Sequence, residues 1–137
     1  EKGALIKDIV AQALESFASR VTTEGPEVFL NATTAQGFAL ILNELVTNAA
    51  KHGALTTATG NVSVRWSIDV TPAGPIMLFQ WRERGGPVVT PPRHKGFGMI
   101  LLERALPYHG GPPEFTYAPE GLTYELRTVL AMPRPRG

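Results

Sequence analysis

Apolar residues recur at helical spacing where the chain begins: Leu5, Ile6, Ile9, Val10, Ala13, Leu14 and Phe17. That spacing predicts a first helix over about 4–19, with a stripe wide enough to cover a core. Thr22 to Pro26 reads as a loop and Val28-Phe29-Leu30 as a short strand. Thr33 with Gln36 three residues later fits a capping box opening a second helix, which closes with Gly53 in the position after its last turn. Leu55 to Gly60 is a loop of small residues. From Val62 the period changes. Val62, Val64, Trp66, Ile68 and Val70 alternate with Ser63, Arg65, Ser67 and Asp69, the pattern of a half-buried strand. Thr71-Pro72-Ala73-Gly74-Pro75 turns the chain, and Ile76 to Glu83 returns as the antiparallel partner. Gly85 to Lys95 is too rich in Gly and Pro for regular structure. Met99 to Leu106 resumes the helical pattern, and Phe115-Thr116-Tyr117 with Leu122 to Leu130 forms a closing hairpin around Pro119-Glu120-Gly121. The sum is an α+β chain. Three helices gather on one face of a mixed, mostly antiparallel sheet of about five strands, a two-layer α/β sandwich.

Three places along this pattern carry chemistry. In the second helix Glu44, Asn48 and Lys51 stand at i, i+4 and i+7, one line of polar groups on a mostly apolar element. A carboxylate, an amide and an ammonium in a row suit a metal-bound polyphosphate, the first two for the cation and its waters, Lys for the phosphates. A solvated stripe on an amphipathic helix is the plainer alternative, but flanks this apolar favour a cleft wall. On the returning strand Met77, Phe79 and Trp81 share a face, and Glu83 continues that parity at the strand end. If that face covers the helices, Glu83 points inward, where it can accept a hydrogen bond from an exocyclic amine such as that of adenine. A solvent-exposed Glu opening a loop is the alternative. Gly85-Gly86-Pro87 follows, letting the backbone turn and a planar ring approach closely. Gly96-Phe97-Gly98 leads into the third helix, where free amides and the helix dipole favour an anion, and Arg93, His94 and Lys95 add positive charge. Two glycines that merely end a loop would look the same. Trp66 and Trp81 read as core filler.

Composition narrows the field. A chain of 137 residues with 43% hydrophobic and 18% charged positions fits one globular domain with a single core. A formal charge of +1 gives no reason to expect nucleic acid or an anionic membrane as partner. The absence of cysteine excludes disulfides, zinc–thiolate sites and thiol catalysis, and it is compatible with the cytoplasm. No apolar run approaches the length needed to span a bilayer, and no signal peptide shows. A chain that opens at Glu1 and closes on Pro133-Arg134-Pro135-Arg136-Gly137 reads as a piece of a longer protein.

The order of these features resembles the catalytic, ATP-binding domain of a bacterial sensor histidine kinase, in the GHKL superfamily shared with gyrase and MutL. Asn43 to His52 resembles its N box, with Glu44 and Asn48 at the hallmark spacing. Trp81-Arg82-Glu83-Arg84-Gly85-Gly86-Pro87 resembles the first glycine-rich box in the Trp-x-Glu version of the HWE-type group, where Glu replaces the usual Asp. Gly96-Phe97-Gly98 resembles the second glycine-rich box, and Leu122-Thr123-Tyr124 the Thr-bearing final strand. The likeness runs from about Gly25 to Leu130. It departs at Asn43, where the group carries the His of its name, so the HisKA_2-type kinases are the neighbouring possibility.

The resemblance implies a Bergerat-type ATP-binding fold over 25–130, with 1–24 as N-terminal helix and linker and 131–137 as a tail. It implies that Asn48 coordinates Mg²⁺ bridging the phosphates of ATP, and that Glu44 orients a metal-bound water or assists proton transfer. Lys51 and His52 would contact phosphate oxygens. Glu83 would receive the adenine amine, with Gly85 beneath the ring. Gly96 and Gly98 would hinge a lid and offer amides to the phosphates, and Thr123 would hydrogen-bond near adenine through water. Gly86, Lys95 and Phe97 would also take part in binding ATP. The γ-phosphate would go to a histidine on a dimerisation and phosphoacceptor domain outside the chain, and from there to a response regulator, in a cytoplasmic homodimer. Two other outcomes stay open: a nucleotide-sensing or docking module of the same fold without catalysis, and an ATPase or serine-directed kinase of the superfamily.

Overall fold

Residues 2–91 and 96–130 are described by a computed structural model. The first apolar stripe folds as a helix, α1, at Ile6–Ala13, with Ile6 and Val10 buried. It is shorter than its periodicity predicts. Ala4–Leu5 (β1) instead pairs antiparallel with Phe29–Leu30 (β3), and the amide of Ile6 donates to Val28 O (2.9 Å). Beyond Leu14 the chain tightens into a 3₁₀ segment, Glu15–Arg20, interrupted at Phe17, whose φ of −123° is not helical. The break lets Phe17 pack on the core and sends the chain into a strand.

That strand, Val21–Glu24 (β2), corrects the reading of 22–26 as a loop. It pairs in parallel with Asn61–Thr71 (β4), Val21 opposite Val62 and Glu24 opposite Arg65. A four-residue edge strand with three exposed residues carries no alternation to find. The N-terminal segment contributes to the core, since Ile6, Val10 and Leu14 lie in the same buried cluster as the sheet.

The second helix, α2, spans Ala32–His52. Its cap is Asn31, whose Oδ1 accepts from the amide of Thr34 (2.9 Å), so the box at Thr33 and Gln36 is not what starts it. Gly53 ends it with φ −120° and ψ −148°, an extended backbone rather than the left-handed one expected of a C′ glycine. Its purpose is space, because a Cβ there would overlap Glu83 Oε1.

Gly74–Arg84 (β5) returns antiparallel to β4, and Glu114–Ala118 (β6) and Gly121–Val129 (β7) complete a five-stranded sheet in the order β2-β4-β5-β7-β6. Phe97–Arg104 forms the third helix, α3. One face of the sheet carries Val62, Val64, Trp66, Phe79, Trp81, Tyr124 and Leu126 against α1, α2 and α3, with Phe38 of α2 edge-on to Phe79 at 4.8 Å. Val70, expected on the buried side of β4, is 82% exposed because the strand overruns the helices. Gly37 lets α2 approach α3 closely, where a Cβ would crowd Leu106. The phenol of Tyr124 donates to Leu102 O (2.6 Å), tying β7 to α3. Burial, with the negative charge of Glu103 adding, pushes that phenol's pKa up and keeps the donor in place.

Behind α2, the chain from Ala54 to Gly60 is held by one side chain from the N-terminal segment. Arg20 donates through Nε to Gly60 O (3.0 Å), and through Nη2 to Ala54 O (3.0 Å) and to Thr57 O. Arg20→Ala removes the guanidinium from all three carbonyls, leaving Ala54 O only a long contact from Thr57 Oγ1 (3.4 Å). It is expected to cost about 2 kcal/mol, a drop of roughly 6 °C in Tm. Arg20→Lys should recover little, because an ammonium lacks the planar fork that spans three acceptors. Thermal melts of the two variants matching the parent would overturn this assignment.

Candidate functional site

A cavity of about 610 Å³ opens between α2, the end of β5, the segment 88–91, the start of α3 and the β6–β7 hairpin. That size suits a drug-sized or nucleotide-sized ligand. Of the residues singled out in the sequence, Glu44, Asn48, His52, Glu83, Gly96 and Gly98 line it.

The α2 wall is a line of Glu44, Asn48 and His52 rather than Glu44, Asn48 and Lys51. Each step of four residues turns about 40° around the helix, so 44, 48 and 52 drift together toward the cavity, whereas residue 51 falls about 20° to the other side of 44. Lys51 is exposed and does not line the cavity. Asn43, also exposed, accepts through its backbone O from Thr47 Oγ1 (2.8 Å).

Glu83 stands at the far end. Parity along β5 turns it inward, and it is 2% exposed. Both its oxygens are partnered. Oε1 accepts from the amide of Ala54 (3.0 Å) and Oε2 from the indole Nε1–H of Trp81 (2.9 Å). Each carboxylate oxygen accepts two hydrogen bonds, so acceptor capacity remains toward the cavity. Gly85 follows with φ +78°, a left-handed backbone that lets the chain turn at once, and Thr57 Oγ1 donates to its carbonyl (3.0 Å). Gly86 packs on Ala54. Neither glycine lines the cavity, and their part is to hold the turn after Glu83.

At the opposite wall Gly96, with φ −85° and ψ −178°, caps α3, and Gly98 lies so close to Glu44 that a Cβ would overlap its carboxylate. The ring of Phe97 points away and is 80% exposed. Lys95, with Arg93 and His94, lies outside the described residues.

Thr123 does not line the cavity. It pairs with Arg82 and Thr116, and all three stand on the sheet face away from the helices, because Tyr124 beside it bonds to α3. The residue that lines the cavity there is Leu122, with Tyr117 opposite it. Met99 and Leu102 of α3, Phe115 and the segment 88–91 also line it. The alternation of Phe115 with Tyr117 could have shown that face, but nothing in an apolar residue separates cavity lining from core. Burial raises the pKa of Tyr117.

The fit to a metal nucleotide rests on donor chemistry. A hard divalent cation takes oxygen ligands, which the half-buried Asn48 amide and the Glu44 carboxylate offer side by side on one wall. Among the described residues no group of three or more His, Asp or Glu could hold a metal ion by itself. No helix among them is long and apolar enough to cross a membrane.

Helices on one face of a mixed, mostly antiparallel five-stranded sheet match the fold of histidine kinase catalytic domains. The ATP-binding domain of PrrB from Mycobacterium tuberculosis superposes over 96% of this chain and 98% of its own, with a TM-score of 0.60 at 21% identity. The histidine kinase domain of a blue-light-activated kinase from Erythrobacter litoralis covers 90% of this chain and 62% of its own, with a TM-score of 0.64 at 17% identity. No family model matches the chain. In sequence it is 32% identical over 140 residues to blue-light-activated histidine kinase 1 of Erythrobacter litoralis, a match that takes in 97% of this chain. The chain is thus similar in sequence to blue-light-activated histidine kinases and in fold to histidine kinase ATP-binding domains. It spans 38% of the length of that relative.

Proposed function

We propose that this chain binds Mg·ATP in the cavity and passes the γ-phosphoryl group to a histidine on a phosphoacceptor domain. The observation that carries the reading is a single cavity with a buried carboxylate at one end and an amide–carboxylate pair along α2 at the other. Glu83 accepts the exocyclic amine of adenine, and the apolar faces of Met99, Leu102 and Leu122 receive the ring. Asn48 and Glu44 hold the cation, whose chemistry is to draw charge from the phosphate oxygens. His52 and the backbone amides at the start of α3 meet the phosphates. Phosphoryl transfer needs positioning and charge neutralisation far more than covalent help, and these groups offer both. Thr123 and Lys51 have no part in it, Thr123 because it faces away and Lys51 because it lies off the cavity line. The downstream acceptor is a response regulator, and the whole protein works as a cytoplasmic homodimer.

The test is to mix the chain with a phosphoacceptor domain and γ-labelled ATP. The expected product is an acid-labile phosphohistidine on the acceptor, with little phosphate released by the chain alone. Tight ATP binding without transfer would make it a sensor. An acid-stable product would make it a serine kinase, and turnover without an acceptor an ATPase.

A further inference from the structure

Trp81 does more than fill the core. Its ring is fully buried, and a buried indole N–H needs an acceptor. The other tryptophan meets this need in the ordinary way, Trp66 Nε1 donating to the backbone carbonyl of Pro26 (2.7 Å). Trp81 donates instead to Glu83 Oε2 (2.9 Å), the carboxylate that borders the cavity, two residues along the same strand face. The other oxygen is held by the amide of Ala54 (3.0 Å). The bare Cα of Gly53 leaves room for this arrangement. Glu has one more rotatable bond than Asp, and with one oxygen tethered the carboxylate can still swing about its terminal bond. The second tether stops that swing. An acceptor held in one plane distinguishes a donor from an acceptor on the ligand edge, whereas one free to rotate can turn away from a mismatch.

We propose that Trp81 is a positioning residue for base selection: its indole locks the plane of the Glu83 carboxylate, so that a 6-amino purine is accepted and a 6-oxo purine refused. The proposal rests on the reading of the cavity as a nucleotide site. Trp81→Phe keeps most of the ring volume and removes the donor. It is expected to weaken ATP binding about tenfold and to reduce the ATP-over-GTP preference by a similar factor, the scale of one lost hydrogen bond to a charged group. Trp66→Phe loses a bond of the same kind but has no path to the cavity. It should lower the melting temperature and leave the ATP:GTP ratio unchanged. In a Glu83→Gln background, Trp81→Phe should add less than about twofold, because two residues acting through one contact are not additive.

Calorimetric titrations of ATP and GTP into the parent and the four variants read all of this. Trp81→Phe that behaves like Trp66→Phe, or losses that add in the double variant, would overturn the positioning role and leave the nucleotide reading intact. A parent chain with no preference for ATP would overturn the nucleotide reading itself. Should Trp81→Phe not fold, the indole N–H resonance of Trp81 in the parent chain carries the test, assigned by its persistence in Trp66→Phe. A shift with ATP and a smaller one with GTP supports the lock, and a resonance indifferent to saturating ATP refutes it.

Discussion

Glu83→Ala is expected to cost the fold about 2–4 kcal/mol and to lower ATP affinity by roughly thirtyfold or more, through two separate losses. The first is internal. Removing the carboxylate takes the acceptor from the Trp81 indole N–H and the Ala54 amide, the two buried donors bonded to it. Each stranded donor costs about 1–3 kcal/mol, and water entering from the cavity relieves part of the cost at Ala54. The second is at the ligand, where an exocyclic amine loses its acceptor. Glu83→Gln separates the two. An amide has one acceptor oxygen and one donor nitrogen, so it can serve either Ala54 or Trp81 but presents a donor to the remaining one. It should be nearly as unstable as the alanine variant while tolerating a 6-oxo base better than the parent does. Urea unfolding gives the first effect and paired ATP and GTP titrations the second. Unaltered stability together with an unaltered ATP:GTP ratio would remove Glu83 from both roles.

Much of this site was legible because its chemistry sits on regular elements. A helix converts sequence spacing into a direction, so Glu44 and Asn48 could be placed on one wall, and a strand converts parity into a face, so Glu83 could be turned inward. The same two rules, carried one step further, separate the residues that line the cavity from those that do not. Lys51, at i+7 from Glu44, lies off the i+4 line that runs through Asn48 to His52. Thr123, which the likeness to a motif sets near the base, is turned away by the parity of its own strand, with Leu122 and Tyr124 inward. Other features could not be read locally at all. The strand Val21–Glu24 is defined by a partner some forty residues along the chain, and the extended backbone at Gly53 answers to a carboxylate thirty residues away. Nothing in a single sequence marks Arg20 as the donor to three carbonyls of the loop behind α2.

Asn48→Ala is the substitution in which folding and function should move in opposite directions. Asn is a poorer helix former than Ala by several tenths of a kcal/mol, and Asn48 is half-buried in the last third of a helix of 21 residues. Its side chain makes no hydrogen bond among the described residues, so stability should stay level or rise slightly. The function proposed for it is confined to the cation. With metal chelated, the variant and the parent should therefore bind nucleotide equally. With excess Mg²⁺ the parent should gain affinity, and the variant should gain little, since of the two oxygen donors on that wall Glu44 alone is left. Transfer to an added phosphoacceptor domain should fall by about a thousandfold, the scale on which a removed charge-positioning group slows phosphoryl transfer. The informative quantity is the difference between the two metal conditions rather than either affinity alone, because a general distortion of the cavity would weaken binding in both. If Mg²⁺ strengthens nucleotide binding to Asn48→Ala as much as to the parent, the cation is not held from α2, and the metal end of the cavity lies elsewhere.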